Sequence, residues 1–226
     1  AAGETEKPLL GNAFSGIKGV FTSPYLLGIA GFIALMTFAS TILYFAQSDL
    51  VYSAMTDRGE RTAFLAKIDL TVNILTIVFE VYLTARLIRW LGVGLTLAVI
   101  PAAVAVGVLA LGVYPTLATL VVVQIIYRAG RYGMTKPARE ILFTVVSREE
   151  KYKSKAFIDA AVYRGGDLVS GWIYAGLAFV GLSLGTIAML AAPVAAMWAI
   201  LGIRVAAKGD VKAAEMESEK VTMPVA

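Results

Sequence analysis

The chain has 226 residues, of which 58% are hydrophobic and 16% charged, with a mean hydropathy of +0.76. Soluble domains run at about 45–50% apolar and about 25% charged, so a water-soluble fold is excluded. Neither Cys nor His occurs, which removes disulfides, thiol and imidazole catalysis and nitrogen or sulfur metal sites, and the net charge of +4 is spread over the ends of apolar segments rather than gathered for nucleic acid.

The chain starts AAGETEKPLL, without Met or a leader-like run, which reads as a cut within a linker spanning 1–24. Within it Leu10, Phe14, Ile17 and Phe21 recur at helical spacing, predicting an interfacial amphipathic helix. Ser23 and Pro24 then supply an N-cap and a first-turn proline for the first membrane span.

Six apolar stretches follow, 25–46, 64–88, 91–113, 115–134, 157–182 and 185–204. Each is close to the roughly 20 residues that cross about 30 Å of hydrocarbon as a helix. The predicted fold class is therefore all-α: a six-helix transmembrane bundle over 25–205, with the lipid bilayer as its first partner. Between the fourth and fifth stretches lies one long polar connector, KPAREILFTVVSREEKYKSK, in which Pro137 opens a short helix and Ser147 with Glu150 has capping-box spacing for a second. Residues 206–226 are polar and lack an apolar face, predicting a disordered tail.

Arg and Lys set the expected orientation. Arg58, Arg61 and Lys67 fall on one side, whereas Arg86, Arg89, Arg128, Arg131, Lys136, Arg139, Arg148, Lys151, Lys153 and Lys155 flank the other. The positive-inside rule puts both termini in the cytoplasm. Spans three and six share a leading Gly, a mid-span Pro and no ionisable residue before Arg204, the signature of a weak three-plus-three inverted repeat.

Ionisable residues inside a membrane cost a few kcal/mol against lipid and so mark bundle interiors or aqueous paths. In span two, Asp69, Asn73, Thr76, Glu80 and Thr84 step by three and four and form one stripe. Span four repeats the pattern with Gln124, Arg128, Arg131 and Thr135, and span five with Asp159, Tyr163, Asp167, Ser170 and Tyr174, Arg164 being displaced from that face. Asp69, Asn73, Glu80, Gln124, Arg128 and Arg131 are the candidate solute-path residues. For the arginines and for Asp167, helix-end anchoring or an inter-helix ion pair is the competing structural reading. No nucleophile elbow, zinc-protease or phosphate-loop motif occurs, so no enzyme and no cofactor is expected.

Two segments also resemble a known family. TARLIRWLGVG resembles the basic loop motif of the major facilitator superfamily, with Arg86, Arg89 and Gly92 in a short turn. The run from Pro137 through Arg139, Glu140, Phe143, Lys151, Lys153 and Lys155 to Ile158 and Asp159 resembles the connector of the ATP/ADP translocase family and its free-living bacterial relatives. Where the nucleotide exchangers carry a GKSGG-like run, this chain has Tyr163, Arg164, Gly165, Gly166 and Asp167.

The resemblance implies the C-terminal half of a twelve-helix carrier, partnered by an N-terminal six-helix half and working by alternating access on a small anionic or nucleotide-like solute. It implies peripheral places for spans three and six. Arg86, Arg89, Arg139, Glu140, Lys155, Asp159, Arg164 and Asp167 then belong to the inner gate or connector. A non-transporting scaffold or sensor that keeps the carrier fold is the alternative.

Overall fold

A computed structural model describes residues 19–222. The predicted amphipathic helix lies outside the described residues except for its last turn, 19–22, which is helical. Eight principal helices follow: α1 (Pro24–Ala54), α2 (Arg58–Val78), α3 (Thr84–Val113), α4 (Leu117–Gly130), α5 (Lys136–Leu142), α6 (Arg148–Phe157), α7 (Tyr163–Phe179) and α8 (Leu184–Thr222). No strand occurs among the described residues, as the all-α reading requires. Three stretches are apolar and long enough to cross a membrane, Pro24–Ala54, Arg58–Val113 and Leu184–Ser218, as expected of an integral membrane protein.

Local chemistry sets the boundaries. Ser23 accepts from Leu26 N at 3.4 Å with Pro24 in the first turn, and Ser147 accepts from Glu150 N at 3.3 Å, so both predicted caps form. Asp57 caps α2 by accepting from Glu60 N at 2.7 Å, which starts that helix six residues before the apolar stretch. The stretches 64–88 and 91–113 share one continuous run, broken at Gly92, whose φ of +76° only glycine adopts without strain.

Packing gives the directions. Gly94 lies against Ala206, and at the far end Gly112 meets Gly185 and Met189, so 93–113 and α8 are antiparallel. Ile100 packs on Gly130 and Val123 on Gly107, which runs α4 back along 93–113. Asp69 meets Arg128 while Phe79 meets Gly133, so α2 and α4 run parallel. Thr37 beside Gly166 and Asp49 bonded to Tyr174 make α1 and α7 parallel too. The six apolar segments thus alternate in direction. Their connecting ends gather accordingly: Tyr25 OH donates to Leu142 O at 2.7 Å and Phe21 packs on Phe157, joining the N-terminal, connector and C-terminal ends.

The core lies between α1, 93–113, α4 and α8, where Phe32, Leu97, Val104, Tyr127 and Trp198 are almost wholly enclosed. The segments 93–113 and α8 also turn a second apolar row outward, Val106 and Leu109 on one and Met197 and Ile200 on the other. Against them, α2 buries only Ile68 and Val72, and α7 only Ser170 and Tyr174.

The C-terminal segment departs from expectation. Residues 206–222 do not form a disordered tail but continue α8 as helix. Val205 packs on Gly28, Ala206 on Gly94 and Gly209 on Tyr25, with Lys212 Nζ 5.6 Å from the Tyr25 ring centre. Once that turn is anchored, the following Ala, Lys, Glu and Met are strong helix formers, and extension needs no apolar face of its own.

Candidate functional site

Three π-helical turns interrupt the polar segments: Phe79–Leu83, Arg131–Thr135 and Ile158–Val162. Each closes from the amide of residue i+5 to the carbonyl of i, as Thr84 to Phe79, Lys136 to Arg131 and Tyr163 to Ile158. Such turns concentrate at functional sites, because the extra residue re-aims side chains that a regular helix would keep on one face. Here each carries one predicted charge: Glu80, Arg131 and Asp159.

The first two turns touch. Gly133 makes this possible, because a Cβ there would stand 2.7 Å from Phe79 Cβ and 2.9 Å from Thr76 O. The Thr84 hydroxyl lies within donating distance of Phe79 O (2.9 Å) and Gly133 O (2.5 Å), which joins the two segments by a polar contact as well.

Two adjoining cavities open around this crossing, sharing Tyr132 and Lys136 in their walls. One, of about 490 Å³, lies between α1, α4, α5 and α7 and is lined by Arg131, Lys136, Arg139, Asp159, Tyr163 and Arg164 among others. The second, of about 630 Å³, lies toward α2 and is lined by Asn73, Thr76, Glu80, Arg128 and Glu140 besides the shared residues.

Ion pairing sorts the charges. Arg128 Nη1 is 2.6 Å from Asp69 Oδ1, tying α4 to α2. Arg139 Nη2 is 3.4 Å from Asp159 Oδ1 and 3.9 Å from Glu140 Oε1, and Lys155 Nζ is 2.7 Å from Glu140 Oε2. Burial works to raise the Glu140 carboxyl, but Lys155, with Arg139 and Lys151 behind it, outweighs this and holds it below the usual range. Among the described residues Glu80, Arg131, Lys136 and Arg164 have no partner at ion-pairing distance.

Arg131 is held by aromatic rings instead of a carboxylate. Its guanidinium donates to Tyr163 OH and, at 3.4 Å, to Tyr127 OH, and its central carbon lies 5.1 to 5.9 Å from the ring centres of Tyr127, Tyr132 and Tyr163. Tyr127 OH in turn donates to Met36 O at 3.3 Å, fixing the cage to α1. Cation–π contact stabilises the cation without cancelling its charge, so Arg131 remains available to an anion.

The single-face stripes are partly redrawn. Thr84, expected to continue the Asp69–Glu80 stripe, is buried against Gly133 because the π turn at 79–83 rotates it away. Gln124 faces neither cavity: it is buried and donates to Gln47 Oε1 at 2.6 Å. Arg128 and Arg131 point to different cavities, and Arg164, read as displaced from its stripe, lines the first cavity with Asp159 and Tyr163. Asp167 lies outside the cavity wall, within electrostatic reach of Arg131 and Arg164. Arg86 and Arg89 stay exposed near the Gly92 turn, Arg89 Nε donating to Ala85 O at 3.3 Å, and they join neither cavity.

Sequence reasoning missed Tyr127, Tyr132, Gln47 and Asp49. The last two fall beyond the predicted end of span one, although α1 runs on to Ala54 and Tyr174 OH donates to Asp49 Oδ2 at 2.5 Å. Tyr127 lies four residues before Arg131, a one-turn spacing that could have signalled the cage. No family model, curated protein or solved structure matches this chain.

Proposed function

We propose that this chain is one six-helix half of a secondary transporter of the major facilitator type, carrying a small anionic, nucleotide-like solute by alternating access. The observation that carries the reading is the convergence of three π-helical turns, each bearing a charge, on two adjoining cavities with an excess of unpaired cations. Arg131, half-buried and without a carboxylate partner among the described residues, is costly inside an apolar bundle unless it meets a ligand or water, and the exposed Lys136 and Arg164 line the same cavity. Arg131, Lys136 and Arg164 would meet the anion, Glu80 and Asn73 would line its path beside Arg128, and the Arg139, Glu140, Lys155 and Asp159 network would form the inner gate.

The packing pattern supports a three-plus-three repeat. Exchanging spans one, two and three with four, five and six turns the α1–α7 pair into the α4–α2 pair, the α1–α8 pair into the α4–93–113 pair, and leaves the 93–113–α8 pair unchanged. The alternation of the six segments and the clustering of Lys and Arg at the connector end fit a bilayer orientation with that end in the cytoplasm. The polar stripe of α2 stays exposed at Asp69 and Asn73, which suits a wall completed by an N-terminal six-helix half.

Uptake by the full-length protein in proteoliposomes, against a panel of nucleotides and phosphorylated metabolites, tests the proposal. Arg131→Gln is expected to abolish uptake and Glu80→Gln to reduce it, with the protein still folded by circular dichroism. Unchanged uptake in both variants would sink the assignment of the path, and no uptake of any solute by the wild type would favour a scaffold.

A further inference from the structure

The first cavity contains four cations in its wall, Arg131, Lys136, Arg139 and Arg164, and one carboxylate, Asp159. That carboxylate is spent on a single partner: Asp159 Oδ1 lies 3.4 Å from Arg139 Nη2. Arg139 is the best enclosed of the paired cations, with 11% of its side chain exposed, and its Nε is buried without a hydrogen-bond partner among the described residues. Asp159 is 43% exposed and sits on the π turn Ile158–Val162, an irregularity of a kind frequent at functional sites, so that solvent and an entering ligand can reach it. Arg139 also sits 3.9 Å from Glu140, which Lys155 holds, so a change at Arg139 reaches the connector helices α5 and α6.

We infer that Asp159 is a resident anion that occupies Arg139, and that an entering ligand must displace it. This rests on the reading of the cavity as an anion site and adds to it a charge threshold. A ligand with one negative charge replaces one carboxylate by another and loses its translational freedom without net gain. One with two or more charges also engages Arg131, Lys136 and Arg164, which have no ion-pairing partner among the described residues, and so outcompetes Asp159. The site therefore selects compact polyanions, phosphate and diphosphate groups above all, over chloride or monocarboxylates. Displacement frees Asp159 from α5, so that occupancy of the cavity is felt at the connector.

The experiment uses the full-length protein in nanodiscs at fixed ionic strength, with pyrophosphate and acetate as probes and the shift of the unfolding midpoint with concentration giving each apparent Kd. Asp159→Asn is expected to tighten both probes by the same factor, about three- to fivefold, the upper part of the range that partly exposed ion pairs represent. In an Arg139→Gln background the same substitution is expected to change nothing, because the competitor then has no partner to release. Should Asp159→Asn fail to fold, Asp159→Ser carries the same expectation.

A factor that persists in Arg139→Gln, or that is larger for pyrophosphate than for acetate, would mean plain charge repulsion and would overturn displacement. Arg131→Gln separates the two levels. If it removes pyrophosphate binding while Asp159→Asn leaves affinity unchanged, the anion site stands and the threshold falls. If neither the wild type nor Asp159→Asn binds pyrophosphate, both readings fail.

Discussion

The wall formed by α1, 93–113 and α8 and the wall formed by α2, α4 and α7 contain the same number of helical segments and, apart from the α4 face that carries Tyr127 into the core, have opposite chemistry. In the first, Phe32, Leu97, Val104 and Trp198 are enclosed, the Phe32 and Trp198 rings lie 5.6 Å apart, and no ion pair occurs within it among the described residues. In the second, two of the helices bury only two residues each, the helices are interrupted by π turns, and charges face cavities. Enclosed apolar side chains gather on one side of the bundle and interrupted helices on the other. A wall of close-packed apolar side chains has one good arrangement, whereas ion pairs on interrupted helices exchange partners with little repacking.

The largest test of this contrast is Trp198→Ala. It leaves a cavity between Phe32 and Tyr127 and is expected to cost about 3–5 kcal/mol, read as a fall in the unfolding midpoint of purified protein. A loss below about 1 kcal/mol would mean that the first wall is not the stabilising one. Gly133→Val comes next. It pushes the π turn at Arg131–Thr135 away from Phe79 and from Thr76 at the end of α2, for an expected cost of about 1–3 kcal/mol, and it should impair solute binding more than its stability cost explains. Equal binding by folded Gly133→Val would separate the crossing from the site.

The smallest effect concerns Glu140, whose carboxyl is held below its ordinary value of 4.5. A lowered folded-state value stabilises the protein above the ordinary value and loses that contribution as pH falls through the folded one. The stability difference between wild type and Glu140→Gln should therefore be complete above pH 4.5 and close on further acidification. Its size is expected below about 1 kcal/mol, since the pair is about a third exposed. A difference that grows toward low pH would show that Lys155 is not the partner that matters.

Much of this division could be read from the chain. Runs of apolar residues long enough to span hydrocarbon and Ser23 and Ser147 as caps act through local sterics and hydrogen bonding, which neighbouring residues settle among themselves. The candidate charges were legible for the same reason, because a charge in an apolar run stands out whatever it touches.

Their grouping was not legible. Helical periodicity assigned Thr84 and Glu80 to one stripe and excluded Arg164 from another, but a π turn adds a residue and rotates everything beyond it by roughly 100°, at 3.6 residues per turn. The continuation of α8 past 205 likewise depends on Tyr25 and Gly28, far away in sequence. Composition and periodicity determined that this is an all-helical chain with membrane-length apolar segments and a handful of unusual charges. Only the tertiary structure decided which charges cancel and which stay free, because partner choice depends on distances between segments that no local rule encodes.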